Sequence, residues 1–382
     1  MSETTISVES AVEEIEEKGD VFKSILRVAR YMAIRIVTLF ITVLIGIYLV
    51  VLIANMGGYV DEIRRGAIRE EISMRVYMDP SPEIKQLSSE EKNALVAEQV
   101  AIEERRRGLD RPFIIRSFTF LTNAITLDLG FAEDLVSDSG SKQVRLILLE
   151  RLVPTLLLWG SFSFLLFFTA LFAGLFLSRR YGSWLDKLVI ALTPTSSAPG
   201  WFYGLFLILI FAAVLQILPF GGLVDAPPPE SKMLYALSVL KHLILPTMAL
   251  FLGNVFVSIF NRRTFFLIYS QEDYVEMAKA KGVPDRLLER RYILKPTLPP
   301  IITEFLLVVI AVWYGGVITE TIFNWPGLGR ALYSAIGNFD TAVIVGSQVI
   351  YAYLLALTVL LLDFLYAVVD PRVRIGEEGK RA

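Results

Sequence analysis

The chain has 382 residues, of which 54% are hydrophobic and 20% charged, and its formal net charge is −2. A soluble domain cannot bury so large a hydrophobic share, so the composition predicts a protein that crosses a membrane several times. The near-neutral charge gives no indication of nucleic-acid binding, and the lack of cysteine excludes disulfides and thiolate-bound metals.

The first predicted membrane span, TM1, covers residues 31–55 and follows a tail at residues 1–30. The tail begins with an acidic stretch that lacks the apolar core of a signal peptide. The run up to Ala54 contains about 20 apolar residues, enough to cross a bilayer. Basic residues flank its start, at Lys23, Arg27, Arg30 and Arg35. They predict that the tail lies in the cytoplasm.

Residues 56–142 are polar and charged, and we predict that they form a helical insert on the extracytoplasmic side. Ser88 and Glu91 have the spacing of a capping box, in which each side chain bonds to the backbone of the other residue. Strong helix formers continue from there to Arg107, just before Gly108. The composition of the insert is compatible with a lid, a docking surface for a receptor or a stabilising strap.

Five further spans are predicted within residues 143–370, which we interpret as the transport domain. They are TM2 at about 153–177, TM3 after the turn at 182–186, TM4 at about 243–260, TM5 at about 301–317 and TM6 at about 342–369. The arginine pairs 179–180 and 262–263 are predicted to close TM2 and TM4. Pro194 and Pro199 predict a broken TM3, because proline frees backbone groups that only protein or water can satisfy. Six spans return the tail at 371–382 to the cytoplasm.

The charged stretch between TM4 and TM5, residues 270–300, predicts two short cytoplasmic helices joined by a sharp turn. Ser270 and Asp273 resemble a capping box, so the first helix is predicted to begin there. Gly282 suits the left-handed residue just after that helix. Pro284 suits the first turn of the second helix, and Pro296 is predicted to end it. A polar hinged pair in a membrane protein indicates a docking element for a soluble partner.

This stretch resembles the EAA loop of binding-protein-dependent ABC importers. Glu276, Ala278 and Gly282 have the spacing of that loop, Leu298-Pro299-Pro300 matches its ending, and Met277 stands where the family usually has alanine. Four other motifs resemble the dipeptide/oligopeptide/nickel permease branch: residues 108–112, 127–130, 320–329 (ETIFNWPGLG), and 363–366 with 370–372. The resemblance extends over about residues 108–375.

The resemblance implies an all-α polytopic protein with the six transmembrane helices of the type I ABC importer fold, located in the inner membrane. It implies as partners a second homologous permease subunit, two ABC ATPase subunits and an extracytoplasmic solute-binding protein. ATP and Mg²⁺ would be bound by the ATPase subunits, and this chain would hold no cofactor. Peptides are the leading substrate class, while nickel and oligosaccharides remain open because specificity lies mostly in the receptor.

The chain itself is predicted to be no enzyme and to have no catalytic or metal-binding residues. Its Gly379-Lys380 pair is followed by Arg381, whereas a phosphate-binding loop requires serine or threonine there. The single histidine, His242, provides neither a Ser-His-Asp set nor a zinc-binding spacing. We predict that it is an ordinary residue at the outer membrane boundary.

Six residues are predicted to couple the chain to an ATPase: Tyr274, Glu276, Ala278, Lys281, Gly282 and Pro284. The small Ala278 would let a partner approach the backbone closely, and Tyr274, one turn earlier, would anchor the same face. Glu276 and Lys281 would pair with charges of the partner. Gly282 would permit the sharp turn that orients both helices.

Three polar residues in the spans are candidates for the translocation pathway: Asn254, Glu304 and Gln348. An ionisable side chain in a span is by default a functional candidate. For Glu304 the alternative is a structural role, with water or Arg291 as its partner. The two amides are equally compatible with hydrogen bonds between helices. Asp363 in TM6 is predicted to be a packing or salt-bridge residue.

Two other classes of protein are alternatives to an importer subunit. An ion-coupled secondary transporter, acting without ATPase subunits, predicts charged pairs at mid-membrane, whereas the predicted spans are nearly free of charge at their centres. A membrane scaffold would use the 56–142 insert as its working part. Uptake without ATPases would indicate the transporter, uptake only with ATPases the importer, and no uptake the scaffold.

Overall fold

The computed structural model describes residues 29–53, 59–106, 108–312 and 315–369, and most of these residues are helical. The α-helices in chain order are α1 (Ala29–Ile53), α2 (Tyr59–Met78), α3 (Pro82–Lys85), α4 (Ser89–Arg106), α5 (Phe113–Ile125), α6 (Val144–Arg179), α7 (Trp184–Leu192), α8 (Gly200–Leu207), α9 (Lys232–Ser270), α10 (Asp273–Ala280), α11 (Asp285–Leu288), α12 (Lys295–Ala311), α13 (Val317–Ile322), α14 (Leu328–Gly337) and α15 (Thr341–Val369). The predicted tails up to residue 28 and from residue 370, including the 370–372 motif and Gly379-Lys380, lie outside the described residues.

Within the described residues, five helical segments are long and apolar enough to cross a membrane. They are Ala29–Ile53, Val144–Arg179, Lys232–Ser270, Asp285–Val309 and Thr341–Phe364. A sixth span results if the bent pair Trp184–Ser197 and Gly200–Val214 counts as one. The segments correspond in order to the predicted TM1 to TM6.

The predicted break in TM3 is confirmed, with an angle of 95° between its two halves. Ser183 caps α7 by accepting the Asp186 N–H at 3.4 Å. Pro194 then lies in a 3₁₀ turn, and Pro199 precedes α8 in extended conformation. Because proline lacks an N–H, each one ends a run of helical hydrogen bonds at the bend.

The chain divides into two compact units, one with residues up to Asp128 and from Gln348 onward, the other Leu129–Ser347. In the first unit α2 and α4 pack around buried aliphatic side chains: Ile68, Ile72, Val76, Val96, Val100 and Leu109. The predicted helical character of the insert is therefore confirmed.

Polar contacts fix the first unit at three places. The capping box is confirmed, because the Ser88 N–H donates to Glu91 Oε2 at 2.8 Å and the Glu91 N–H to Ser88 Oγ at 3.2 Å. Arg116 of α5 forms a buried ion pair with Asp61 of α2. Asp363, predicted to be a packing or salt-bridge residue, pairs with Arg35 of α1. The two ion pairs join helices that are far apart in sequence.

The second unit is built on the packing of α6 against α9, and both helices are longer than predicted. α6 begins at Val144 rather than near 153, and α9 extends from Lys232 to Ser270. Arg262 and Arg263, which are predicted to close TM4, lie buried inside α9, and the helix continues beyond them to Ser270. Each guanidinium is paired with a carboxylate of another helix, so neither requires water at a helix end.

The predicted end of TM5 near Val317 is also wrong. α12 ends at Ala311, and Val317 opens the short helix α13 instead. The following segment, residues 320–340, contains the end of α13 and the whole of α14. TM6 agrees closely with the prediction, because α15 begins at Thr341.

Candidate functional site

The hinged pair consists of α10, the turn at Gly282 and α11, and it connects α9 to α12. The prediction that Ser270 starts its first helix is wrong. Ser270 is the last residue of α9, and its hydroxyl donates to the Leu267 carbonyl at 2.8 Å. Glu272 precedes α10, which begins at Asp273, so only two residues separate α9 from α10.

The predicted left-handed turn at Gly282 is confirmed by its φ of 74°. The Gly282 N–H donates to the Lys279 carbonyl at 2.9 Å, and the Val283 N–H donates to the Ala278 carbonyl at 3.2 Å. These bonds satisfy carbonyls that the end of α10 would otherwise leave free. Pro284 is predicted to lie in the first turn of the second helix. In the structure it is extended and directly precedes α11, which begins at Asp285.

The prediction that Pro296 ends the second helix is wrong. α11 continues through a π-helical turn, Glu289–Leu294, into α12, so Asp285–Val309 forms one helical segment. Pro296 lies at the start of α12, directly after the π-helical turn, and the helical segment continues through it. The hinged pair is therefore continuous with a membrane-spanning helix.

Ala278 lies in a small core inside the hinged pair, together with Val275 and Leu288. It is 3% exposed, so the expectation that it faces a partner directly is wrong. Its small side chain permits close contact between α10 and the following helical segment. Ala278 thus positions the exposed face of α10 rather than forming part of it.

The other five predicted coupling residues are exposed: Tyr274, Glu276, Lys281, Gly282 and Pro284. Met277, the departure from the family pattern, is 58% exposed and fits without a clash. Partial burial, followed by the nearby charge of Glu272, raises the pKa of Tyr274, so its phenol stays neutral. A neutral, partly exposed tyrosine offers both an apolar ring and a hydrogen-bonding hydroxyl to a partner.

A cavity of about 530 Å³ lies among α6, α9 and α12 of the second unit. Two of the three predicted pathway residues, Asn254 and Glu304, line it. Glu304 Oε1 is 2.6 Å from Arg262 Nη2, so the expected partner Arg291 is replaced by Arg262. Gln348 is half-buried on α15 and is not among the lining residues.

A buried carboxylate in α13, Glu320, was missed by the sequence analysis. Its side chain is fully buried, where Oε1 accepts the Thr155 hydroxyl at 3.0 Å and Oε2 accepts the Arg330 N–H at 3.1 Å. Nearby, the Trp325 indole N–H donates to the Pro154 carbonyl at 2.9 Å. These bonds fasten α13 and α14 to α6. The glycines of the 320–329 motif were the available signal, because they leave room for a buried side chain.

His242, which is predicted to be an ordinary residue at the outer membrane boundary, instead has specific polar contacts. Its side chain is buried within α9, with Nδ1 2.8 Å from the Ser238 carbonyl oxygen and Nε2 3.9 Å from Asp225 Oδ1. Ser238 also donates to Asp225 through its hydroxyl, at 2.6 Å. The histidine therefore belongs to a local polar network that holds the segment before α9.

The burial of Glu320 predicts that the stability of the folded protein depends on pH. Burial raises the pKa of Glu320 above its ordinary value of 4.5, and hydrogen bonds from Arg330 and Thr155 oppose that rise only in part. The folded state then binds the proton more tightly than the unfolded state. The stability from this group is therefore complete below about pH 4.5 and is lost as pH rises through the raised pKa.

We expect the apparent Tm of the wild-type protein, relative to Glu320→Gln, to fall as pH rises through that range. Thermal unfolding of both proteins in detergent, measured at a series of pH values, tests this. A Tm difference that is the same at every pH would contradict it.

Comparison with known proteins identifies relatives over most of the chain. A family profile described as binding-protein-dependent transport system inner membrane component matches residues 152–375. The di/tripeptide transport system permease protein DppB of Pseudomonas aeruginosa is 32% identical over 290 residues, which covers 70% of this chain and 83% of the relative. The probable D,D-dipeptide transport system permease protein DdpB of Escherichia coli is 30% identical over 288 residues, with 70% and 82% covered. The glutathione transport system permease protein GsiC of Shigella flexneri is 28% identical over 302 residues, with 78% and 91% covered.

Proposed function

The chain belongs to the family of inner membrane components of binding-protein-dependent transport systems, and from this premise we propose that it forms half of the pathway of an ATP-driven peptide importer. The observation that carries the proposal is the connectivity of the hinged pair. Its first helix follows α9 after two residues, and its second continues into α12. Movement of the pair is therefore transmitted to these two membrane helices.

The two helices joined to the hinged pair also line the cavity. Asn254 and Arg262 lie on α9, and Glu304 lies on α12. A partner that moves α10 would change the separation of α9 and α12 and so open or close the space between them. This is the mechanical step that a transport subunit needs, and it requires no catalytic residue in this chain.

The partners of the proposed complex are a second homologous permease subunit, two ABC ATPase subunits and an extracytoplasmic solute-binding protein. ATP and Mg²⁺ would be bound by the ATPases, which would dock on the exposed face of the hinged pair, including Tyr274, Glu276 and Lys281. The chain would lie in the inner membrane with both termini in the cytoplasm. This orientation agrees with the basic residues of 270–300 and the positive-inside rule.

Short peptides are the proposed substrate class, because the relatives described above are named for transport of di- and tripeptides, D,D-dipeptides and glutathione. An ion-coupled secondary transporter is the less favoured alternative. It would use no docking element, whereas the hinged pair has an exposed polar face next to two spans.

Reconstitution separates the two functions. Liposomes that contain this chain, the second permease subunit and the two ATPase subunits are prepared with ATP inside and with radiolabelled trialanine and the solute-binding protein outside. They are expected to accumulate peptide. Replacing ATP by a non-hydrolysable analogue should stop accumulation. Uptake driven by an ion gradient in liposomes that contain this chain alone would contradict the proposal.

A further inference from the structure

The cavity among α6, α9 and α12 contains one positive and one negative side chain, Arg262 and Glu304. We propose that these two side chains bind the carboxylate and ammonium ends of a peptide during its passage. The inference rests on the proposed peptide-import function and assigns a binding role to this pair.

Arg262 has the geometry of a fixed carboxylate-binding group. Its side chain is 6% exposed, and the guanidinium carbon lies 5.6 Å from the Phe167 ring centre and 5.8 Å from that of Phe265. The two rings hold the planar cation in place. The guanidinium has five N–H donors and suits bidentate binding of a carboxylate.

Glu304 is the accessible member of the pair. Its side chain is 53% exposed, in contrast to that of Arg262, and it lines the same cavity. A carboxylate at this position can accept hydrogen bonds from an ammonium group. Neutral polar side chains of α6 and α9 also line the cavity: Ser163, Asn254, Ser258 and Asn261. Their hydroxyl and amide groups are suited to the peptide bonds between the two ends.

The opposite charges favour a ligand that is itself a zwitterion. In the observed state Arg262 and Glu304 neutralise each other at 2.6 Å. A ligand of one charge that entered between them would leave the other side chain unpaired in a partly buried site, which is unfavourable. A free peptide supplies both charges, so its carboxylate can replace Glu304 at Arg262 while its ammonium replaces Arg262 at Glu304. The volume of about 530 Å³ lies within the ordinary range for small-ligand sites.

The test compares Glu304→Gln with the wild type in the complete reconstituted importer, using trialanine and N-acetyl-trialanine. The ratio of variant to wild-type uptake is taken for each peptide, so that the preference of the solute-binding protein cancels. We expect Glu304→Gln to lower trialanine uptake about tenfold, because a charge-assisted bond to the ammonium is lost. Uptake of the acetylated peptide, which has no ammonium, should change less than about twofold.

Glu289→Gln is the matched control. Glu289 forms an ion pair with Arg179 and does not line the cavity, so its loss should affect both peptides alike. Assembly of each variant complex is checked by its peptide-independent ATP hydrolysis.

Two results would overturn the inference in distinguishable ways. If the wild-type complex transports both peptides and Glu304→Gln lowers the uptake of both equally, the pair is a structural contact and not a binding site. A wild-type complex that takes up neither peptide would refute the proposed function and, with it, the inference.

Discussion

Replacement of Gly282 by valine is expected to lower ATP-driven peptide uptake at least about tenfold, while the complex still assembles and hydrolyses ATP. The reason is the backbone at Gly282, whose φ is 74°. A side chain there would have space, since nothing lies within 4 Å of the added Cβ position. The left-handed conformation itself disfavours an L-residue by roughly 1–2 kcal/mol, and a β-branched residue such as valine is a genuine outlier there.

The expected defect is a loss of coupling rather than of stability. The bonds from Gly282 and Val283 to Lys279 and Ala278 fix the angle between α10 and α11. A changed angle would displace the exposed face of α10 relative to α12. The number of peptides imported per ATP hydrolysed measures this directly.

Gly282→Asn is the matched control for that experiment. Asparagine adopts the left-handed conformation more readily than other L-residues, so it should retain most of the coupling although it adds a side chain. If the asparagine and valine variants lost coupling equally, the backbone explanation would be incorrect, and added bulk would explain the effect.

Removal of Arg263 is expected to destabilise the second unit by about 3–5 kcal/mol, because it leaves a buried carboxylate unpaired. Asp186 is 1% exposed, and its Oδ2 accepts bonds from Arg263 Nη2 at 2.7 Å and from the Gly182 N–H at 2.9 Å. The pair joins α7 to α9 across a long stretch of sequence. Arg263→Met should therefore lower the apparent Tm in detergent strongly.

The double variant Asp186→Asn/Arg263→Met provides the control for charge. Neutralising Asp186 removes the unpaired buried charge, so the double variant should be more stable than Arg263→Met alone. A double variant that is no more stable than Arg263→Met would indicate that the unpaired charge of Asp186 is not the cause of the destabilisation.

The helical spans were predictable because their signals are local. Long apolar runs identified the five spanning segments, and Pro194 and Pro199 identified the bend in the helix pair Trp184–Ser197 and Gly200–Val214. Helix ends were less accurate where long-range pairing decides them. Arg262 and Arg263 have the sequence appearance of a membrane boundary, but Glu304 and Asp186 neutralise them inside the fold. Neither partner can be assigned from a single sequence.

In the candidate site, too, features with a local sequence signal were predictable and those that depend on long-range contacts were not. Gly282 was predictable, because a left-handed turn after a helix has a local residue preference. The burial of Ala278 was not, since it depends on how the following helical segment folds back over α10. Pro296 was misinterpreted because proline usually ends a helix, whereas the helical segment Asp285–Val309 continues through it. Glu320 was missed because its partner Thr155 lies far away in sequence.

The claim that partner ATPases bind the hinged pair is tested most directly by site-specific crosslinking. The chain contains no cysteine, so Met277→Cys and the control Tyr333→Cys each introduce a single thiol. Both side chains are similarly exposed, at 58% and 59%, but Tyr333 lies on α14, outside the hinged pair. With a short bifunctional crosslinker in the assembled complex, we expect an adduct with an ATPase subunit from position 277 and none from position 333. An ATPase adduct from position 333 and none from position 277 would contradict it.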